Sequence, residues 1–337
     1  MSAFEASSIK RILLLRWGAL GDLALCSAVF EDVCSRFPEA QIDLNVDPVW
    51  SSIFIGDNRF SRVIDQKIRG ERFLKSVYQW LKMLKQGRYD LIIDFQSNDR
   101  SRAYLAIATW MGMAPKYRIS TQNAYPYNVS VQPVSATTHA LEVFRVPLRA
   151  LDISPTQSIP LIQVESEEID AVSRLMAEED LLNKTFVLLV PGSSQSGKNK
   201  RWGESNYIEL GKALTTERYV EKVAILGGPD EMDLCQSISN GIGDNAINLA
   251  GKTTLPSIIP LVRASAGLVA NDTGLAHLAA AANKPVVVIC GPTLAERVKP
   301  AGDHVKALQV PVECFAKQSA SECMKQVTVS MILKCLF

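Results

Sequence analysis

The chain has 337 residues, about twice the size of a common domain, so we expect two domains. Apolar residues make up 47% of the chain and charged residues 21%, as in an ordinary soluble globular protein. The 36 Lys and Arg residues almost balance the 35 Asp and Glu residues, so the net charge does not indicate a nucleic-acid-binding protein. The sequence shows neither a signal peptide nor an apolar stretch of membrane-spanning length, which predicts a cytoplasmic protein.

The seven cysteines are an odd number and form no Cys-x-x-Cys pair. This pattern favours reduced, mostly buried thiols over disulfides or metal ligands. Cys314, Cys323 and Cys335 lie near the C-terminus, but their spacing is too wide to indicate a metal site.

In the first half of the chain, an apolar strand over residues 9–16 leads into a glycine-rich turn and a helix over residues 23–37. The turn contains Gly18 and Gly21, and Asp22 stands at the start of the helix. Such a turn presents backbone N–H groups at the sheet edge, here together with one carboxylate. Its Gly-x-x-Gly spacing does not match the G-x-G-x-x-G dinucleotide fingerprint, so the turn alone is a weak signal.

Further along, strands are predicted over residues 41–46 and 89–95, with a helix over 71–85 between them. Asp99 and Arg100 follow the second of these strands, at the edge where open α/β sheets bind ligands, and a helix is predicted over 101–110. Basic residues make the loops of this half locally positive, namely Arg100, Arg102, Lys116 and Arg118. They suit contact with an acidic acceptor, although charged loop residues are more often simply solvated.

Residues 146–164 carry three prolines and little periodicity, which is typical of an interdomain linker, with 147–160 as the hinge candidate. We therefore expect an acceptor-binding domain over residues 1–155 and a nucleotide-sugar-binding domain over 156–325. The remaining segment, 326–337, is apolar on one side and is expected to pack back on the first domain.

The second half repeats the alternation of strand, polar turn and helix. A helix over residues 165–182 and a strand over 185–190 precede a polar loop, 191–205, that contains Ser193, Ser194 and Lys200. Another strand is predicted over residues 223–226, and helices over 206–216, 230–240 and 254–264.

Residues 268–293, LVANDTGLAHLAAAANKPVVVICGPT, have the pattern of a parallel βαβ unit, because two short apolar runs, over residues 268–270 and 286–290, flank one helical segment. Asp272 and Thr273 are good N-cap types, and Gly274 lets a ligand approach the backbone. His277 follows Thr273 by one helical turn and shares its face. The turn is therefore an anion-site candidate, while a capped helix with a satisfied histidine is the purely structural alternative.

Both halves thus predict doubly wound α/β domains, and two such domains facing each other across a cleft would present their turns on its walls. A phosphate-type turn in one domain and a carboxylate in the other suit group transfer from an activated donor to an acceptor.

Three blocks of the chain resemble the heptosyltransferase-type glycosyltransferases of family 9, which have two Rossmann-like domains in the GT-B arrangement. The blocks are Gly18-Ala-Leu-Gly21-Asp22, Pro191-Gly-Ser-Ser194 with Lys200-Arg-Trp202, and Asp272-Thr-Gly274 with His277 and Gly291-Pro-Thr293. The chain departs from the family at Ser27-Ala28 and at Gly203, where prolines are common, and these changes concern loop shape rather than chemistry.

The resemblance implies inverting transfer of heptose from ADP-heptose to a lipopolysaccharide or lipooligosaccharide inner-core acceptor at the cytoplasmic face of the inner membrane. It implies Asp22 as the general base, whereas the candidate acceptor contacts are Gly21, Asp99, Arg100 and Arg118. The implied donor contacts are Ser193, Ser194, Lys200, Asp272, Thr273, Gly274 and His277. Because no Asp-x-Asp pair is present, we expect the transfer to need no metal. We also expect a monomer that needs no cofactor besides the nucleotide sugar.

Several alternatives stay open at this point. A GT-B transferase with another nucleotide sugar or a protein acceptor, a GT-B sugar-nucleotide epimerase and a non-catalytic nucleotide-binding protein would share most of these features. An epimerase would convert the donor without an acceptor. A nicotinamide dehydrogenase would need the G-x-G-x-x-G fingerprint, which no turn supplies.

Overall fold

The computed structural model describes residues 8–66, 73–193 and 195–337. Ser194 and the first two residues of the helix predicted over 71–85 lie outside the described residues. The chain divides into two compact units, Met1–Gln163 and Val164–Phe337, so the boundary falls later than the expected one after residue 155.

In chain order, the elements of the first unit are β1 (Arg11–Leu15), α1 (Leu20–Arg36), β2 (Gln41–Val46), β3 (Arg62–Asp65), α2 (Phe73–Gly87), β4 (Leu91–Asp94), α3 (Asp99–Trp110), β5 (Tyr117–Ser120), α4 (Ala140–Phe144) and α5 (Val146–Ala150). Among the described residues, the strands form one five-stranded parallel sheet in the order β3-β2-β1-β4-β5.

Helices cover both faces of this sheet, because alternate side chains of the inner strands are buried on opposite sides. On one face, Leu13 of β1 packs with Trp80 of α2 and Tyr104 of α3. On the other face, Phe30 of α1 meets Phe95, directly after β4, edge to face with 5.7 Å between ring centroids. The first unit is therefore doubly wound, as the sequence predicted.

The proline-rich segment 147–160 is part of the first unit, contrary to the expectation of a linker and hinge. Val146, Leu148 and Leu151 are buried. The backbone N–H and the hydroxyl of Thr156 both donate to Asp32 Oδ1 of α1, at 2.8 and 2.6 Å. The prolines thus belong to a chain segment that is held against α1 by hydrogen bonds rather than to a free connection.

In chain order, the elements of the second unit are α6 (Ser166–Glu178), β6 (Phe186–Val190), α7 (Glu204–Thr216), β7 (Lys222–Ile225), α8 (Met232–Ile242), β8 (Ala246–Asn248), α9 (Ile258–Ala264), β9 (Gly267–Asn271), α10 (Gly274–Ala280), β10 (Val286–Cys290), α11 (Ala295–Val298), β11 (Val305–Gln309), α12 (Ala320–Met324) and α13 (Val329–Leu336). Within the described chain, these strands form a six-stranded parallel sheet in the order β11-β10-β9-β6-β7-β8.

The C-terminal helix α13 is packed on the core of the second unit. Its Ile332 and Leu336 are buried in the same cluster as Val187 of β6, Leu210 of α7 and Val287 of β10. The apolar side of segment 326–337 is therefore used at least partly within the second unit, and its packing on the first domain stays a prediction. In the part of the chain that the structure describes, no helix is long and apolar enough to cross a membrane.

Two of the cysteines form a disulfide, so the expectation of seven reduced thiols is wrong. Cys314 lies in a short 3-10 turn and Cys323 in α12, and their Cα atoms are 5.9 Å apart. Both belong to the core cluster of the second unit. Their separation of nine positions matched no metal-site spacing, and it gave no sign that the intervening turn brings the two sulfurs together.

We expect the Cys323→Ser variant to have a free energy of unfolding about 2–3 kcal/mol below that of the oxidised protein, because the bridge restricts a short loop of the unfolded chain. Urea titration followed by circular dichroism, with a thiol count of the unreduced protein, measures this. Cys335→Ser is the control, since Cys335 is a free thiol. Equal stability of wild type and Cys323→Ser under oxidising conditions would contradict the expectation.

Candidate active site

Asp22 lies in the first turn of α1, at the carboxyl end of β1. The N-cap of α1 is Ala19, whose side chain makes no capping hydrogen bond. Asp22 is therefore not the N-cap of α1 and lies inside the helix. Gly18 has a φ of +150°, and a Cβ at this position would lie 3.1 Å from Trp50 Nε1. The turn thus requires glycine both for its backbone conformation and for the close approach of the indole.

A buried arginine holds the Asp22 carboxylate. Arg16 Nη2 donates to Asp22 Oδ2 at 2.5 Å, and Arg16 Nη1 donates to the carbonyl of Phe95 at 2.8 Å. The Arg16 side chain is almost completely buried, whereas 44% of the Asp22 side chain is exposed. Arg16 thus holds one carboxylate oxygen of Asp22, while the rest of the side chain stays accessible to solvent. The sequence showed Arg16 only as the basic end of a strand, so this pairing was missed.

The turns after β1 and β4 are joined, since the backbone N–H of Trp17 donates to Gln96 Oε1 at 3.0 Å. Asp99 begins α3 at this edge, with a fully exposed side chain and an ion pair to Arg102 at 3.2 Å. Arg100 is also exposed, and Gly21 is buried within α1. Gly21, Asp99 and Arg100 therefore lie at the edge that carries Asp22, as predicted, and their acceptor contacts stay predictions.

Arg118 has a different environment from the loop position that the sequence predicted. It is the second residue of β5, and its guanidinium donates to the carbonyls of Pro126 and Pro115 at 2.9 and 2.7 Å. These bonds give Arg118 a role in holding the chain segments before and after β5. The structure does not bring it together with Asp22.

In the second unit, Lys200 and Asp272 form an ion pair. Asp272 directly follows β9, and Lys200 ends a 3-10 turn in the polar loop after β6. Lys200 Nζ donates to Asp272 Oδ2 at 2.6 Å, with 28% and 8% of the two side chains exposed. The pair joins positions 72 residues apart, and it places an ammonium group beside the turn that the sequence identified as an anion site.

The fully buried Asn271 fixes the loop that carries Lys200. Its Nδ2 donates to the carbonyls of Pro191 and Gly192 at 2.7 and 3.1 Å, and its Oδ1 accepts from the backbone N–H of Trp202 at 2.9 Å. Asn271 thus bonds both ends of the loop. Its one sequence signal is its position as a polar residue that ends an apolar strand.

The hydroxyl of Ser193 is used inside the same loop. It donates to the carbonyl of Gly197 at 2.9 Å and accepts from Arg201 Nε at 3.1 Å. Arg201 also donates to the Ser193 carbonyl at 3.1 Å. Sequence reasoning missed Arg201 as a loop-holding residue. The predicted donor contacts of Ser193 and Ser194 stay predictions, with Ser194 outside the described residues.

Thr273 precedes α10 and is its N-cap, but its side chain makes no capping hydrogen bond. Its Oγ1 is buried without a hydrogen-bond partner among the described residues. A buried hydroxyl without a hydrogen-bond partner lowers the stability of the folded protein, and a ligand that bonds to it removes this cost. Gly274 begins α10, and the buried His277 lies one turn later. The structural alternative is therefore wrong for the cap, because the side chain of Thr273 does not cap α10, and it stays open for the histidine.

The nearby Cys290 ends β10. Burial raises the pKa of its thiol to about 12, so the group is protonated at neutral pH and cannot act as a thiolate nucleophile. Across residues 8–66, 73–193 and 195–337, no three His, Cys, Asp or Glu side chains are grouped so that they could hold a metal ion. Independence from metal stays a prediction.

Two doubly wound units with polar turns at the carboxyl ends of their inner strands are typical of the GT-B fold class, which includes glycosyltransferases and sugar-nucleotide epimerases. Residues 77–328 match glycosyltransferase family 9 (heptosyltransferase). This match covers more than half of the chain, so the chain belongs to that family. The α/β fold class and the family predicted from the sequence are both confirmed.

Individual relatives agree with this assignment. The chain is 26% identical over 299 residues to lipooligosaccharide heptosyltransferase 2 of Haemophilus ducreyi, covering 84% of each chain. The crystal structure of the glycosyltransferase family 9 protein from Veillonella parvula is similar with a TM-score of 0.82, at 17% identity and covering 97% of this chain and 95% of that one. The E. coli ADP-heptose lps heptosyltransferase II gives a TM-score of 0.76 at 19% identity, with 97% of each chain covered.

Proposed function

We propose that the protein is an inverting transferase that moves heptose from ADP-heptose to a lipooligosaccharide or lipopolysaccharide inner-core acceptor. The observation that carries the proposal is the half-exposed Asp22 carboxylate, held by Arg16 at the sheet edge of a family 9 chain. The names of the Haemophilus ducreyi and E. coli relatives support the sugar and the acceptor class.

In the proposed reaction, an acceptor hydroxyl attacks the anomeric carbon of the heptose and transfers its proton to the Asp22 carboxylate. The bond from the anomeric carbon to the acceptor oxygen forms while the bond to the diphosphate oxygen breaks, and ADP leaves. Attack on the face opposite the diphosphate inverts the configuration. Arg16 donates a hydrogen bond to one carboxylate oxygen of Asp22 and thereby orients the carboxylate toward the acceptor hydroxyl. Gly21, Asp99 and Arg100 complete the proposed acceptor side.

Lys200 is the group that would stabilise the departing ADP. An ammonium has three N–H donors, so Lys200 can keep its bond to Asp272 and also bind diphosphate oxygens. The hydroxyl of Thr273 supplies another donor and gains a partner, which it does not have within the part of the chain that the structure describes. Gly274 and His277 lie beside these groups on α10. These contacts require no metal, and we propose metal-independent transfer by a monomer at the cytoplasmic face of the inner membrane.

Purified protein with ADP-heptose and a heptose-deficient core acceptor tests this proposal. We expect release of ADP only when the acceptor is present, with equal rates in chelator. Mass spectrometry of the core from cells that lack the protein should show loss of one heptose. Conversion of the donor without an acceptor would instead identify an epimerase, and loss of a different sugar would reject heptose.

We expect Lys200→Ala to weaken ADP binding about 10- to 100-fold, because a charge-assisted hydrogen bond to a phosphate contributes roughly 1.5–3 kcal/mol. Isothermal titration calorimetry measures the dissociation constant. Lys198→Ala is the matched control, since Lys198 is an exposed lysine of the same loop and should leave the affinity unchanged.

Lys200→Ala leaves the Asp272 carboxylate without its lysine and could weaken ADP binding through a general structural change. The Thr273→Val variant tests the same site without breaking this ion pair. It removes a hydroxyl that has no hydrogen-bond partner among the described residues, so thermal stability should be retained while ADP binds more weakly. Unchanged ADP affinity in both Lys200→Ala and Thr273→Val would reject the proposed donor site.

A further inference from the structure

The first unit exposes large apolar side chains at the same sheet edge as Asp22. Val49 and Ile55, which are 63% and 59% exposed, follow β2. Leu74 and Tyr78, which are 80% and 67% exposed, lie in the first turns of α2, the helix after β3. In a parallel sheet the carboxyl ends of all strands meet at one edge, so these four side chains, here called the apolar rim, share the edge with Asp22.

Two contacts connect the apolar rim to the Asp22 turn. Trp50, the neighbour of Val49, lies against Gly18, as the 3.1 Å distance from a Gly18 Cβ to its Nε1 shows. Trp80 of α2 donates from Nε1 to Asn45 Oδ1 near the end of β2 at 3.1 Å. This bond fixes α2 on the sheet, so the helical turns before Trp80 extend toward the carboxyl edge. The apolar rim therefore continues from the proposed acceptor side.

The helix that carries Leu74 and Tyr78 is positively charged near these side chains. Helix α2 has no acidic residue, and its Lys75 and Lys82 are exposed. Lys75 and Lys82 lie three residues before and four residues after Tyr78, so they flank it on the helix surface. Single exposed apolar residues need no explanation, but several at one edge among lysines indicate a binding surface. Aliphatic and tyrosine side chains with neighbouring lysines suit the interface of an anionic lipid bilayer.

We propose that the apolar rim docks the first unit on the surface of an anionic phospholipid bilayer, with Leu74 and Tyr78 entering the headgroup region. Docking there would bring the Asp22 edge to the membrane that carries a lipid-anchored acceptor. The identity of that acceptor rests on the proposed function, whereas the docking itself does not.

Co-sedimentation of the full chain with vesicles tests the docking directly. We expect binding to vesicles of phosphatidylglycerol and phosphatidylethanolamine, and weaker binding to phosphatidylcholine alone, because the lysines lose their anionic partners. The double variant Leu74→Ser, Tyr78→Ser should lower the partition coefficient at least about tenfold, since it removes the apolar side chains that the interface would bury.

Trp110→Ser is the matched control. Trp110 is 86% exposed but ends α3, about 16 Å along the helix from its start at the sheet edge. It should leave vesicle binding unchanged. Loss of binding in Trp110→Ser with retention in the double variant would overturn the proposal. The same holds if the double variant changes only the oligomeric state of the protein, because the apolar rim would then be a contact with a second copy.

Activity separates this inference from the proposed function. With a deacylated, water-soluble acceptor the double variant should match wild type, and with acceptor embedded in vesicles it should be slower. If the wild-type protein transfers heptose to the soluble acceptor but does not bind anionic vesicles, the docking proposal is rejected and the proposed function is retained. Vesicle binding without transfer to either acceptor would reject the function alone.

Discussion

Asp22→Asn is expected to lower kcat about a hundredfold or more while ADP binding and the fold are kept. General-base catalysis contributes about 10²–10⁴-fold, and an amide cannot accept the proton of the acceptor hydroxyl. Asparagine still offers an oxygen to Arg16, so the contact that orients position 22 is retained. Because Ala19 is the N-cap of α1, the substitution removes no helix cap. Steady-state kinetics with saturating ADP-heptose measures kcat.

Asp99→Asn is the matched control for this experiment. Asp99 also lies in the first turn of a helix at the same sheet edge, and its side chain is fully exposed. We expect near-normal kcat, with any change confined to the KM of the acceptor. If Asp22→Asn keeps its activity and Asp99→Asn loses it, then Asp99 is the base and the assignment of Asp22 is wrong.

Asp57→Ala is expected to lower the free energy of unfolding of the first unit by about 3–5 kcal/mol, because it leaves a buried guanidinium without its principal partner. Arg59 Nη2 donates to Asp57 Oδ2 at 2.6 Å and Arg59 Nε to Oδ1 at 2.9 Å, with both side chains almost completely buried. Burial acts to lower the pKa of Arg59, but its hydrogen bonds to Asp57 and the nearby negative charges raise the pKa above its ordinary value.

The same guanidinium also holds the end of the first unit, since Arg59 Nη2 donates to the carbonyl of Leu161 at 2.9 Å. Loss of Asp57 should therefore expose the segment before Gln163 to proteolysis. Urea unfolding followed by tryptophan fluorescence reports mainly on this unit, because Trp17, Trp50, Trp80 and Trp110 belong to it.

Glu31→Gln is the control, since Glu31 contacts Arg59 only at 3.3 Å and is partly exposed. Its effect should be below about 1 kcal/mol, as for most partly solvated ion pairs. If Asp57→Ala and Glu31→Gln lower the free energy of unfolding equally, then the buried ion pair contributes no more to stability than a surface ion pair.

The inner strands of both sheets were predictable from the sequence. The strands predicted over residues 41–46 and 286–290 have the observed bounds of β2 and β10. A strand that is covered on both faces is a continuous apolar run, so its signal lies within a short window of residues. The same local logic found the turns with Asp22 and with Asp272, because a polar or glycine turn after such a run marks the sheet edge.

The strands β3, β5, β8 and β11 were not predicted, and all of them are edge strands. Strands β3 and β8 contain no fully buried residue and show no apolar run. Strand β5 is largely buried, but polar and apolar residues alternate in its four positions, so it also lacks a continuous apolar run. Pairing with a neighbouring strand determines such segments more than their own composition does. Arg118 of β5 was placed in a loop because its neighbours in the sequence form no such run.

What the sequence determined by itself was therefore the α/β class, the inner strands, the two polar turns at the sheet edges and the family resemblance, since each depends on residues within one short stretch. Only the tertiary structure decided the partners: Asp272 with Lys200, Asn271 with Pro191, Cys314 with Cys323, and the segment before Gln163 with Asp32 and Arg59. These choices depend on which distant segments the folded sheets bring together. A local sequence pattern has no information about these long-range contacts. The entropy cost of bringing distant segments together, and the free energy gained from their contacts, arise only when the whole unit folds.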